Sequence, residues 1–256
     1  MMARLDVSYL TWRVLGRHLA VFRRSWLVNL SFNFVEPLLY FAAMGLGLGA
    51  YVRPIAGMSY LQYLAPGLVA SSSMFACAYE CTYGTFVRLE YQKNYQAILA
   101  TPVSLDDLVL GDMLFGAFKA VLYGTVILVV MLILGLVVSP TALLVPPVLA
   151  VAGMLFAEVS LIWTGLFPHI DNFNYFFSLI MTPLFLFSGV FFPLDGLSRV
   201  LRDLAWLSPL THVVNLTRGL VLGHLAGLEV DFLFVAVLAL ALLPFPLRLM
   251  RRLVLK

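Results

Sequence analysis

Polar and apolar positions along this chain fall into long blocks, and the apolar blocks have the length of membrane-crossing helices. Residues 27–50, 60–83, 108–136, 141–167, 173–192 and 231–247 are mostly apolar, and a helix needs about 20 such residues to cross the hydrocarbon core. Six transmembrane helices are predicted. Only Val137–Pro140 separates the third from the fourth, which implies an antiparallel hairpin. Ahead of the first, residues 4–26 put Leu5, Trp12, Leu15, Leu19, Phe22 and Trp26 on one helical face and Asp6, Arg13, Arg17 and Arg24 opposite. An apolar face backed by a basic one predicts an amphipathic helix lying in the membrane interface.

Two stretches break the pattern. Residues 84–107, GTFVRLEYQKNYQAILATPVSLDD, are polar enough to leave the bilayer and long enough for a short helix before the Thr101-Pro102 break. Residues 193–230 are intermediate in polarity. They hold two helical pieces too short or too polar to span: one from Leu197 to Leu207, and one that starts at Ser208-Pro209 and stops at Gly223. In the second piece His212, Asn215 and Arg218 recur every three residues and share a side.

Composition agrees with this class. Of 256 residues, 62% are hydrophobic and 11% charged, against roughly 45–50% and 25% in a soluble domain. No polar stretch is long enough for a separate globular unit, so residues 1–256 read as one membrane domain. A net charge of +3 suggests no nucleic-acid partner, and the placement of the bases is more telling. With six spans, Arg4, Arg13, Arg17, Arg23, Arg24, Arg88, Lys93, Arg248, Arg251, Arg252 and Lys256 share one side; Arg53, Arg199, Arg202 and Arg218 take the other, and Lys119 falls inside the third span. Both termini and the 84–107 loop are therefore expected on the cytoplasmic side. The opening MMARLDVSYLTWRVLGRH has polar and basic interruptions before any apolar core, so it is not read as a cleaved signal peptide.

Candidate chemistry is sparse. None of Lys93, Lys119 and Lys256 follows a glycine, so there is no Walker A loop to cradle ATP. His18, His169, His212 and His224 are scattered without metal-ligand spacing, and no metal site is expected. Cys77 and Cys81, four residues apart, share a helix face and read as small packing residues. Glu36, Glu80 and Glu158 fall in or near the ends of spans, where an unpaired charge is costly and normally faces a cavity or a partner. With Phe32 and Tyr79, from the aromatic clusters beside them, they are the candidate pathway residues. The residues alone leave open a membrane-embedded enzyme acting on lipid-linked sugar, and a channel or secondary carrier. No internal repeat favours an inverted-repeat carrier.

The order of parts, however, resembles a known family. The segments NFVEPLLYFAAMGLGLG at 33–49, SYLQYLAPGLVASSSM at 59–74, TFVRLEYQKNYQAILATPVSLDDLVLGDM at 85–113, TPLFLFSGVFFPLDGLS at 182–198 and LSPLTHVVNLTRGLVLG at 207–223 look like those of ABC-type-2 permeases, the membrane subunits of ABC exporters. Within that family they are most similar to the NodJ branch, with serine at 198 where proline is usual. The resemblance implies an all-α, type V exporter-like fold of six transmembrane helices, with an N-terminal interface helix at 4–26, a cytoplasmic coupling helix within 84–107 and two external re-entrant helices within 193–223. It implies a homodimer docked on two cytoplasmic ABC ATPase subunits in the bacterial inner membrane. ATP and magnesium would bind the partner, and this chain would hold no cofactor. By position, Arg88, Glu90, Tyr91, Lys93 and Tyr95, with Arg13 and Arg17 of the interface helix, would couple to the ATPase. Pro193, Asp195, His212 and Arg218 would belong to the external gate. The cargo would be a lipid-linked, glycolipid or other amphipathic molecule, and the chain itself would do no bond chemistry.

Overall fold

A computed structural model describes residues 6–27, 35, 38–47, 49, 51–55 and 57–254, and every regular element among them is helical. Glu36 and Phe32, two of the expected pathway residues, lie outside the described residues, as do Arg4 and Lys256. The helices are α1 (Leu10–Arg24), α2 (Tyr60–Tyr79), α3 (Asn94–Leu99), α4 (Leu105–Ile133), α5 (Val145–Leu166), α6 (Asn172–Phe176), α7 (Thr182–Phe187), α8 (Arg199–Leu207), α9 (Pro209–Leu222), α10 (Leu228–Leu242) and α11 (Pro244–Val254). Among the described residues, three stretches are long and apolar enough to cross a membrane: Leu105–Ile133, Pro140–Leu166 and Leu228–Val254. Of the first expected span, Phe41–Gly47 forms wide helical turns.

Local sequence explains where the long helices begin. Ser59 and Ser104 each accept a hydrogen bond from the backbone N–H three residues on, while Gln62 and Asp107 reach back to the serine N–H. These two reciprocal caps start α2 and α4. At the other end of α2 the polar residues after 83 do not break the helix. It continues through wider turns at Glu80–Gly84 and Val87–Tyr91, in which Thr85 N–H bonds the Glu80 carbonyl and Gln92 N–H bonds the Val87 carbonyl five residues back. The expected loop start at residue 84 is thus a continuing helix, because Thr82 bonds the Ala78 carbonyl of its own helix and Thr85 and Arg88 turn their polar groups onto Asp112 of α4. Lys93, in the left-handed region at φ 54°, then reverses the chain into α3.

The bundle is organised around α4, which packs against α1, α2, α5 and α11; α5 in turn meets α10 and α11. Close approach of α4 and α5 depends on Gly153, where an added Cβ would lie 2.7 Å from Ala120 Cβ and 2.8 Å from Ala117 Cα. Cys77 and Cys81 are buried free thiols, and Cys77 Sγ–H donates to the Gly153 carbonyl at 3.2 Å. Helix α9 buries most of its length against α2, α5 and α10. Its 14 residues extend only about 21 Å, short of the ~30 Å hydrocarbon core. On α10, by contrast, Leu233, Val237 and Leu240 are exposed, an apolar face suited to lipid or to another chain.

The amphipathic N-terminal helix meets the bundle by a partly polar side. The face packed on α4 is Thr11, Val14 and His18, whereas Trp12 of the expected apolar face is 65% exposed. Polar groups fix the attachment. Asp107 accepts from Ser8 N–H at 2.7 Å, Ser8 Oγ at 2.9 Å and Thr11 Oγ1 at 2.8 Å. Asp106 accepts from Asp6 N–H at 2.9 Å and from Arg251 Nε at 2.8 Å. The first and last described segments therefore meet at the same end of the bundle, leaving the Trp12 side of α1 free for the bilayer.

Gly153→Leu should overpack the α4–α5 contact and lower stability by about 1–3 kcal/mol, read as a reduced Tm of the purified protein in detergent; an unchanged Tm would contradict the close-packing account.

Candidate functional site

Where α1, the extended α2, α3 and α4 converge, they bury a cluster of charges. On α4, Asp112 and Lys119 form a polar stripe on one face, preceded by Asp106 and Asp107 on other sides of the helix, the four extending about 20 Å inward from the helix start. Midway along, Asp112 is fully buried. Its Oδ2 accepts from Tyr95 Oη at 2.6 Å and Thr85 Oγ1 at 3.1 Å and lies 3.4 Å from Arg88 Nη2; its Oδ1 lies 2.7 Å from His18 Nε2. Burial, and then the Asp112 carboxylate, push the Tyr95 phenol well above its usual value, so it remains a hydrogen-bond donor across the physiological range.

Deeper along the stripe, Glu80 bridges two cations, pairing one oxygen with Arg88 and the other with Lys119. Eight residues of regular helix would set Glu80 and Arg88 about 80° apart around the axis. The wide turns of α2 unwind part of that angle and let both side chains reach the same neighbour. Gly84 makes room, since a Cβ there would stand 2.7 Å from Glu80 Oε1. Lys119 also sits over the Phe115 ring, 5.4 Å from its centroid. Two carboxylates thus face two basic side chains, so the buried charges compensate one another.

A cavity of about 380 Å³ opens beside this cluster, lined by Arg17, His18, Glu80, Tyr83, Arg88 and Lys119 among others. The arrangement offers no nucleophile paired with a base. What it provides is a mechanical connection: one carboxylate joins α1, the α2 extension, α3 and α4, and a second joins the same α2 extension to α4. A displacement of the 88–99 segment has to be passed on to α4 or break several buried bonds.

The expected coupling residues divide into two groups. Glu90, Tyr91 and Lys93 are exposed, the first and last pairing at 3.3 Å, and Arg13 is exposed on α1. Arg88 and Tyr95 turn inward, and Tyr95 is only 1% exposed; neither faces a partner on this surface. The expected pathway residues are not gathered in one place. Tyr79 stacks on Phe177 with centroids 4.2 Å apart, within a run of rings that includes Phe75, Tyr83, Phe173 and Phe185. Glu158 is buried on α5, and its Oε2 has no hydrogen-bond partner among the described residues.

Of the expected gate residues, Pro193, Asp195 and Arg218 surround a second cavity of about 560 Å³. His212 is fully buried elsewhere: Nε2–H donates to the Trp206 carbonyl at 2.8 Å and Nδ1 lies 2.5 Å from Asp231, so it ties α9 to α8 and α10. Sequence reasoning missed His18, Thr85, Asp112 and the pairing of Lys119 with the candidate Glu80. The available signal was helical spacing: Asp112 and Lys119 are seven residues apart, as are Thr11 and His18, which puts each pair on one face.

Comparison with known proteins follows the same lines. Residues 9–222 match the ABC-2 type transporter family. The chain is 38% identical over 213 residues to Nodulation protein J of Rhizobium leguminosarum bv. trifolii, covering 83% of this chain and 80% of that protein. To Nodulation protein J of Bradyrhizobium diazoefficiens it is 34% identical over 235 residues, covering 91% and 88%. To the Inner membrane transport permease YadH of Escherichia coli it is 25% identical over 195 residues, covering 76% and 75%.

Glu80→Gln leaves Arg88 and Lys119 without their shared carboxylate and should cost about 3–5 kcal/mol, measured by denaturation in micelles. Adding Lys119→Met should recover part of that loss; strict additivity of the two effects would contradict the pairing.

Proposed function

Because the chain belongs to the ABC-2 type transporter family, we propose that it is the membrane permease of an ATP-driven exporter, moved by separate cytoplasmic ATPase subunits. The observation that carries this reading is the buried ionic cluster, which makes the exposed Glu90–Lys93 corner and the core helix α4 parts of one mechanical unit. A partner that grips Glu90, Tyr91 and Lys93 would pull on Arg88 and Tyr95 only a few residues away. Through them it would pull on Asp112, Glu80 and α1.

The same reading puts both termini and the 88–99 corner in the cytoplasm of a bacterial cell, with the bilayer being the inner membrane. The basic residues Arg13, Arg17, Arg23, Arg24, Arg248 and Arg252 support it, being concentrated on the segments that converge at this end. We further propose that two copies form the pathway between them and that two ATPase subunits dock below. The outward apolar face of α10 is compatible with a route at a subunit boundary.

The cargo we propose is amphipathic, a glycolipid or lipid-linked saccharide. Its support is the row of aromatic rings from Phe185 through Phe75, Phe177 and Tyr79 to Tyr83, in which Tyr79 is 44% exposed. Such rings offer flat apolar faces to sugar and alkyl groups alike, and tyrosine hydroxyls add polar contacts. The relatives named for nodulation are compatible with a glycolipid cargo without specifying it.

The test is reconstitution in liposomes with the cognate ATPase. The chain alone should show no ATP hydrolysis. With the partner, the double charge reversal Glu90→Lys and Lys93→Glu should leave the unfolding free energy of this chain within about 1 kcal/mol of wild type, as expected for an exposed pair. It should lower stimulated ATP turnover and export at least tenfold. ATP-driven export by this chain without any ATPase subunit would refute the proposal.

A further inference from the structure

At the end of the bundle opposite the ionic cluster, α2, α8, α9 and the segment at 189–195 enclose the 560 Å³ cavity, within the roughly 300–1,000 Å³ typical of small-molecule sites. Its walls include Tyr63, Asp195, Arg202, Trp206, Asn215 and Arg218. Arg218 is held firmly. Its Nη2 donates to the Gly189 carbonyl at 2.8 Å and the Tyr63 carbonyl at 3.2 Å, and the guanidinium carbon stands 4.0 Å from the centroid of the Tyr63 ring. Tyr63 Oη in turn donates to the Gly189 carbonyl at 3.1 Å. The arginine is thus pre-organised rather than free to swing.

What it lacks is a counter-charge. Among the described residues, the buried cations of the ionic cluster and its neighbour Arg251 have carboxylates: Arg88 and Lys119 have Glu80, and Arg251 has Asp106. Neither Arg218 nor Arg202 makes an ion pair among the described residues. Arg218 Nε is buried and has no hydrogen-bond partner among the described residues. A desolvated donor on a charged group is costly to leave unpaired. The cavity also carries a half-exposed indole, Trp206 at 52%, a flat face against which a ring or alkyl segment can lie, and an Asn215 amide that can both donate and accept.

We propose that this cavity is a binding site for an oxyanion group, phosphate or carboxylate, carried by a saccharide or by a phospholipid head. Arg218 supplies the fixed guanidinium and Arg202, at the open rim, the adjustable one. The two-donor edge of a guanidinium matches two oxygens of either anion, which a single ammonium cannot do. Trp206 packs against the part of the molecule that bears the anion. Asp195, on the same wall, disfavours highly charged anions and accepts from hydroxyls. The site lies within one chain and requires neither ATP nor a partner, so its failure and the failure of the transport reading are separable.

The experiment uses the full chain in nanodiscs and follows the Trp206 emission, identified as the part of the signal lost in Trp206→Phe. In phosphatidylcholine nanodiscs, inorganic phosphate and glucuronate are titrated at constant ionic strength with sodium chloride as the control. A saturable change with either, weakened about tenfold in Arg202→Gln and restored to within threefold in Arg202→Lys, is the expected result and assigns a soluble or saccharide-borne anion. The same change on moving to phosphatidylglycerol nanodiscs with no added anion, again lost in Arg202→Gln, also supports the site and assigns a lipid head as the source. Arg218→Lys, which keeps the charge but loses the fork, should weaken binding in every arm while a far-ultraviolet spectrum shows the helices intact. No saturable change in any arm, or equal affinity in wild type, Arg202→Gln and Arg218→Lys, overturns the proposal.

Discussion

The structure depends most on the mutual neutralisation of four buried charges. Glu80, Arg88, Asp112 and Lys119 sit where water is scarce, and a lone ion there would carry a penalty of several kcal/mol. That penalty is avoided only while the four remain in contact, which means while α1, the α2 extension, α3 and α4 keep their relative positions. A hydrophobic contact between helices weakens gradually as they slide. An ion pair sharing a carboxylate with a second ion pair has few alternative geometries and tends to switch between arrangements or to move as a body. The cluster therefore favours rigid-body displacement of this corner over local deformation, the behaviour needed for a segment that transmits force.

Apolar packing then takes over from charge along the bundle. Away from the cluster, α4 meets α5 through small residues, Ala117, Ala120 and Gly153, which allow close helix approach where association in lipid relies on packing rather than on escape from water. At the far end polar groups return in another form. Arg218 and Thr217 of α9 donate to the Tyr63 and Pro66 carbonyls of α2, near the proline that interrupts the helix's own bonding. One helix, continuous from residue 60 to 91, thus carries a polar junction at each end. Tyr63 and Glu80 are separated by about 25 Å along it, so a tilt of that helix would be felt at both junctions.

How much of this was legible in the sequence follows from what each feature depends on. Apolar blocks are local and long, so the helical membrane class and the shortness of α9 could be read directly, and the paired Ser59–Gln62 and Ser104–Asp107 spacings mark two helix starts. The course of residues 84–91 was misread because polarity is ambiguous: Thr85 and Arg88 look like a solvated loop unless Asp112, 24 residues beyond Arg88, is known to wait for them. His18 and Asp112 are 94 residues apart, and nothing local links them. The face by which α1 packs on α4 was not legible for a related reason. Thr11 and His18 are polar, and only the carboxylates of Asp107 and Asp112 make burying them favourable, whereas Trp12, on the apolar face expected at the membrane interface, is free to meet lipid.

The placement of the candidate residues has the same origin. Arg88 and Tyr95 were expected among the coupling residues from their position in a family pattern, which does not tell which way a side chain turns. The structure separates them by side: Glu90, Tyr91 and Lys93 point out, and Arg88 and Tyr95 point in. That division is what a transmitting element requires. A segment polar on both faces can be gripped from outside by one set of side chains and can hold the core by the other, and a single turn of helix is enough to carry the load between them. An amphipathic helix of the ordinary kind, apolar inward, could be gripped equally well but would slip against its neighbours. With charges on the inner face as well, the grip and the core move together.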